Sequence, residues 1–129
     1  MILEATFVID FLKGRNDAVS KMESLVKENI LVSIAAPTVF ELFAGYEQHG
    51  KGEREKQKIS LFLKTINLFP LDGESAKIGG IIDGALIKKG LQIDAEDSMI
   101  AGIAMAKNES VLTRDSHFDR IEGLKVEKY

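Results

Sequence analysis

The chain contains no cysteine and no tryptophan, and only two prolines. It also has no apolar run near the roughly 20 residues that a membrane-spanning helix needs. The lack of cysteine excludes a disulfide scaffold and any thiolate metal site. The first ten residues, MILEATFVID, carry acids at Glu4 and Asp10 and no basic stretch, which argues against a secretory signal. The expected location is therefore the cytoplasm, with no membrane association. A basic surplus is missing too: net charge is -3 and the sequence pI about 5.4. Non-specific nucleic-acid binders usually carry a basic footprint. A nuclease is not excluded, because metal-binding acids lower the formal charge until cations bind. What is present is an ordinary globular balance, 45% hydrophobic and 29% charged over 129 residues. It predicts a single domain over residues 1–129. There are no repeats, linkers or low-complexity stretches; the only turn-rich segment is His49 to Gly52.

Hydrophobic periodicity divides the chain into alternating strands and helices. Met1 to Leu3 begins a strand, and a short helix follows to Leu12, closed by Lys13-Gly14. Asn16 reads as an N-cap, with Val19, Met22, Leu25 and Val26 at helical spacing behind it. Leu31 to Ala35 is a second strand, and Thr38 to Tyr46 a helix with Phe40, Phe43 and Ala44 inward. Glu53 to Thr65 is a helix turning Ile59, Phe62, Leu63 and Ile66 inward, and Leu68 to Leu71 is a third strand. Asp72 caps a helix in which Ile78, Ile81, Ile82, Ala85 and Leu86 repeat, ended by Gly90. Asp94 to Ala106 is apolar nearly all round, the mark of a buried helix. Ser110 to Thr113 and Leu124 to Glu127 complete five strands. Strands separated by helices predict a parallel α/β sheet covered on both faces.

Ligands of such sheets gather outside the carboxyl ends of the strands. Four carboxylates fall there: Glu4 after the first strand, Glu41 after the second, Asp97 on the first turn of the buried helix, and Asp115 after the fourth strand. Brought together they cannot all stay ionised uncompensated, because like charges raise one another's pKa. An all-oxygen donor set suits Mg²⁺ or Mn²⁺. Such an ion can acidify water and stabilise an in-line phosphoryl displacement. The two histidines, His49 and His117, lack ligand spacing in the sequence, so zinc is not expected. Local structural roles compete with this reading. Thr38-x-x-Glu41 matches a capping box. Asp94 is the better cap ahead of Asp97, and Asp115 suits the short Ser116-His117-Phe118 turn. Against idleness, Asp97 heads an apolar helix, where a carboxylate without a task is costly. Asp10 reads as pointing outward or capping locally, Asp72 as a cap, and Asp83 as a solvated face. Thr6 and Ser98 are candidate hydroxyls for a metal-bound water or a phosphate, and Arg114 for a phosphate. Lys51 to Lys58 (KGEREKQK), mixed in sign, reads as a solvated face rather than an RNA-binding patch. Phe40 and Phe43 read as core, not base-stacking platforms.

Four segments together resemble the PIN-domain family, and within it the VapC toxins of toxin–antitoxin pairs: MILEATFVIDFLKG, PTVFELFAG, IDAEDSMIAGIA and VLTRDSHFDRIEGLKV. The resemblance spans essentially the whole chain in the family's order. It implies a three-layer α/β/α domain with a five-stranded parallel sheet. It also implies an Mg²⁺- or Mn²⁺-dependent ribonuclease, often a homodimer, neutralised by a cognate antitoxin whose tail enters the active site. The family's four acids fall on Glu4, Glu41, Asp97 and Asp115, and its small hydroxyl on Thr6. One position departs: the first acid is typically Asp, and here it is Glu4, one methylene longer. This leaves two expectations, an active ribonuclease whose water attacks an RNA phosphodiester, or a PIN domain that only binds RNA or protein. A phosphoacceptor receiver domain fits poorly, because Glu4 is followed by Ala5 rather than a second acid.

Overall fold

The computed structural model describes residues 1–50 and 52–129; Lys51, on which the expected turn-rich segment and mixed-charge run both fall, lies outside the described residues. Five strands form one parallel sheet: β1 (Ile2–Leu3), β2 (Ser33–Ala35), β3 (Asn67–Phe69), β4 (Val111–Leu112) and β5 (Val126–Glu127). Their spatial order is β3-β2-β1-β4-β5, so β1 is central and the order reverses beside it. The register pairs Ile2 with Ser33 on one side and with Val111 on the other.

The pleat points alternate side chains to opposite faces, and two cores result. On one face Leu3, Ile34 and Leu112 pack with α1 (Ala5–Leu12), α2 (Asn16–Lys27), α3 (Ala36–Gln48) and α4 (Glu53–Thr65). On the other, Ile2, Ala35 and Val111 meet α5 (Gly73–Lys88), α6 (Ala95–Lys107) and a short 3-10 helix, Ser116–Arg120. This is the expected three-layer α/β/α arrangement. No helix among the described residues is long and apolar enough to cross a membrane.

The strands are shorter than their apolar runs suggest. Leu31 is 86% exposed and precedes β2, although its sequence context is that of a strand. The α2 N-cap is Arg15 rather than Asn16, and no side chain caps that end. In α3 the inward residues are Pro37, Thr38, Leu42 and Tyr46, whereas Phe40 is 62% exposed and Ala44 is also at the surface. Phe40 is therefore not a core residue. The helix starts earlier than Thr38, with Pro37 in its first turn, and the side it turns toward α1 and α6 carries Thr38 and Leu42 rather than the aromatic Phe40. In α5 the tertiary face runs through Ser75, Gly79 and Leu86, and Ile81 stays exposed. Small residues win there because α6 lies against α5: a Cβ on Gly102 would sit 2.3 Å from the Ser75 carbonyl oxygen, and one on Gly79 2.9 Å from that of Ser98.

Candidate active site

The carboxyl ends of β1 and β4 lie side by side at the reversal point, where Leu3 leads into Glu4 and Leu112 into Thr113. Glu4 is the extended N-cap of α1, and its side chain accepts from the Thr6 backbone N–H at 3.1 Å. Its second oxygen accepts from the Thr6 hydroxyl at 2.5 Å and from the Thr113 hydroxyl at 2.8 Å. Glu4 is thus buried but held by three donors from two elements.

Glu41 has no such support. Thr38 and Glu41 do not form the expected capping box, because α3 already begins at Ala36 and its N-cap is Ala35. The Thr38 hydroxyl and the Glu41 Oε2 atom are instead both buried without a hydrogen-bond partner. Unpartnered buried polar atoms are rare and call for a physical reason. Asp97, in the first turn of α6, is only 4% exposed. Asp94 occupies the N-cap position but makes no side-chain capping bond. Carboxylate oxygens of Glu4, Glu41 and Asp97 all lie within 4.8 Å of one another.

Burial first, then the charges of Asp97 and Glu4, pushes the Glu41 carboxyl up to about 8. Burial, then Glu4 and Asp115, pushes Asp97 up to about 7. Two acids are thereby placed where they share protons near neutrality unless a cation replaces those protons.

Asp115 does cap the 3-10 helix, accepting from the His117 N–H at 2.8 Å, while its own N–H donates to the Thr113 hydroxyl at 2.9 Å. That turn brings His117 into reach: an imidazole nitrogen and carboxylate oxygens of Asp97 and Asp115 lie within 4.8 Å of one another. His117 thus stands beside two of the expected acids, which its place in the sequence does not reveal. Residues far apart in sequence share one sheet end, so linear spacing was the wrong measure.

The remaining candidates divide. Thr6 is at the site. Ser98 is buried, but its hydroxyl donates to Asp83 on α5 at 2.9 Å, so Asp83 is a half-buried partner rather than part of a solvated face. Arg114 is bound by Asp10 at 3.0 Å. Asp10 itself is 3% exposed, neither outward nor a local cap; it also accepts from the Tyr129 hydroxyl at 2.8 Å. Thr113 was missed by looking only for carboxylates. It stands directly after β4 and obeys the same strand-end rule that selected the acids.

The fold and this site define a class: three-layer α/β/α proteins with an acidic cluster where strand order reverses. The chain belongs to the PIN domain family, whose model matches residues 1–124. It is 26% identical over 129 residues to the tRNA(fMet)-specific endonuclease VapC of Shigella flexneri, spanning 99% of this chain and 96% of that one. It is 30% identical over 97 residues to the protein of the same name from Salmonella typhimurium, 74% of each chain. A crystal structure of VapBC2 from Rickettsia felis bound to a DNA fragment from their promoter superposes with a TM-score of 0.87 at 25% identity, over 99% of this chain and 97% of that one. The DNA-bound VapBC of Salmonella typhimurium gives 0.85 at 26% identity, over 98% and 96%.

Proposed function

We propose that this chain, acting as a single domain, is a divalent-metal-dependent endoribonuclease and the toxin of a VapBC-type toxin–antitoxin pair. The observation that carries the reading is the meeting of Glu4, Glu41 and Asp97 within 4.8 Å at the sheet's carboxyl end. An all-oxygen set of this kind fits Mg²⁺ or Mn²⁺. The buried, unpartnered Glu41 Oε2 and Thr38 hydroxyl fit it as well, since they are polar groups placed without a protein donor or acceptor. The longer Glu4 side chain still reaches the other two acids, which favours the active reading over a module that only binds.

Glu4, Glu41, Asp97 and Asp115 would hold the cation. A cation so held supplies charge stabilisation at the scissile phosphate and acidified water for attack on it. The protein's own groups do the rest. Thr6 and Thr113 orient Glu4 by their hydroxyls. Asp10 anchors one nitrogen of Arg114, leaving other guanidinium donors, 43% exposed as a side chain, for an RNA phosphate. The relatives' names make tRNA(fMet) the first substrate to test. The neighbouring VapBC complexes support a cognate antitoxin as partner. A homodimer in the cytoplasm completes the proposal.

The test is incubation of the purified chain with tRNA and mixed RNAs in Mg²⁺, in Mn²⁺ and in chelator. Cleavage is expected with either metal and not with chelator. An Asp97→Asn variant should lose activity by about a hundredfold or more. Cleavage that persists in chelator, or in Asp97→Asn, sinks the reading.

A further inference from the structure

One polar pair lies outside the acidic cluster and takes no part in the proposed reaction. The Ser98 hydroxyl on α6 donates to the Asp83 carboxylate on α5 at 2.9 Å. We infer that Asp83 and Ser98 are positioning residues: their bond fixes the rotation of α6 about its own axis, and with it the direction in which Asp97 projects into the site. The inference rests on the proposed metal-dependent function and adds to it two residues that touch neither metal nor substrate.

The composition of α6 creates the need for such a bond. Ile100, Ala101, Gly102, Ile103 and Ala104 are buried without a break. At about 100° per residue, such a run goes round the whole helix. Apolar burial is non-directional, so it does not select one rotation. A hydrogen bond does, because it holds only over a limited range of angle. Ser98 is 1% exposed, so bulk water does not stand in for Asp83 as its acceptor. Among the described residues no cation pairs with Asp83, and the Ser98 hydroxyl is its partner.

Ser98 is gripped at two points by one face of α5. A Cβ on Gly79 would lie 2.9 Å from the Ser98 carbonyl oxygen, so the two helix backbones touch there. Asp83 stands one turn further along α5, on the same face as Gly79, and holds the hydroxyl. Backbone contact sets the distance between the helices, and the hydroxyl bond sets the angle. The leverage on the site is large. Side chains end about 5 Å from a helix axis, so a turn of about 10° carries the Asp97 carboxylate roughly 1 Å. A shift of that size can cost about a hundredfold in rate. The Asp97 carboxylate has little room for it, since its oxygens must meet those of Glu4 and Glu41 within 4.8 Å.

The test has two arms on the full chain: Mn²⁺ alone titrated by calorimetry, and RNA cleavage kinetics in saturating Mn²⁺. Ser98→Ala leaves Asp83 half-buried with access to water, so it should fold as the wild type does. It should lower kcat by about tenfold at nearly unchanged KM and weaken Mn²⁺ binding by about tenfold. Asp83→Ala should match it, and the double variant should be no worse than either single one, because the pair acts as a unit. Asp83→Asn keeps an acceptor oxygen and should stay within about twofold of the wild type. Ile82→Val thins the packing of α5 without touching the pair. As the control, it should lower the melting temperature and leave kcat and Mn²⁺ binding unchanged. The inference is wrong if Ser98→Ala keeps wild-type kcat and Mn²⁺ binding, if the two single losses add in the double variant, or if Ile82→Val falls as far. If the wild type binds Mn²⁺ but cleaves no RNA, the ribonuclease reading fails and the Mn²⁺ arm decides the positioning on the same terms. If the wild type binds no Mn²⁺, both fall together.

Discussion

At the scale of single residues, the telling pair is Glu41 and Asp97, pushed up to about 8 and about 7 by burial and by their acidic neighbours. Their ordinary values are 4.5 and 3.8, so between roughly pH 4 and pH 8 the metal-free folded chain keeps protons that the unfolded chain has released. Protons bound by the folded state then outnumber those on the unfolded state, and stability falls as pH rises. In chelator, the melting temperature of the wild type should therefore be higher at pH 6 than at pH 8.5, and saturating Mg²⁺ should remove most of that fall by binding only the folded state. A flat metal-free profile across this window would show that the two acids carry no such burden. The same argument makes Asp97→Asn unusual, because it should raise the melting temperature in chelator at pH 8 by roughly 3–5 °C, about 1 kcal/mol, while lowering the proposed cleavage by about a hundredfold or more. Under the proposed function, activity and stability would pull in opposite directions at this residue.

At the scale of elements, the helix pair α5 and α6 sets the position of Asp97. Gly102 packs against the α5 backbone, where a Cβ would meet the Ser75 carbonyl oxygen at 2.3 Å and the Gly79 nitrogen at 2.6 Å. Backbone atoms cannot step aside as a side chain can, so Gly102→Ala should destabilise by about 3 kcal/mol or more and shift Asp97 with its helix. Gly80, on the same α5 but with nothing within 4 Å of a built Cβ, is the control. Gly80→Ala should stabilise by about 0.5–1 kcal/mol through helix propensity alone. Urea denaturation of the two variants reads both signs. Helix limits were well legible in the sequence where polar, well-patterned stretches surround them: α4 runs from Glu53 to Thr65 as expected, and Asp72 caps α5 with Ser75 in a reciprocal pair. Inward faces were less legible. The face of α3 was misplaced because its packing against α1 and α6, not the position of its aromatic residues, decides the inward side, and that of α5 because close helix contact selects glycine and serine over isoleucine.

At the scale of the whole molecule, Asp10 joins segments more than a hundred residues apart. It lies on α1, pairs with Arg114 beyond β4 at 3.0 Å, and accepts from Tyr129 near the chain's end at 2.8 Å. The Tyr129 ring also stands edge-on to Phe7, 4.8 Å between centroids. Burial, then the bond to Asp10, pushes the Tyr129 hydroxyl up to about 12. Tyr129→Phe keeps the ring packing and removes the bond to Asp10 together with the hydroxyl's contact to Thr6. It should cost about 1 kcal/mol of stability, seen as a lower urea midpoint at unchanged slope. Because Asp10 would keep Arg114, RNA cleavage should change far less than stability does.

The sequence by itself determined the class of fold, the alternation of strands and helices, and the four acids, because periodicity and strand-end position are local properties of the chain. It also carried the family, through motifs short enough to be read in line. Only the tertiary structure decided which neighbours those acids have. Strand order places β1 beside β4, so Thr113 supports Glu4 across 109 positions, and His117 joins Asp97 and Asp115. The same packing strips Glu41 and Thr38 of partners and closes α5 onto α6 through glycine. These outcomes depend on distances between segments, which no local pattern encodes. The absence of cysteine thus excluded thiolate metal sites from sequence alone, while the nearness of His117 to the acids had to wait for the fold.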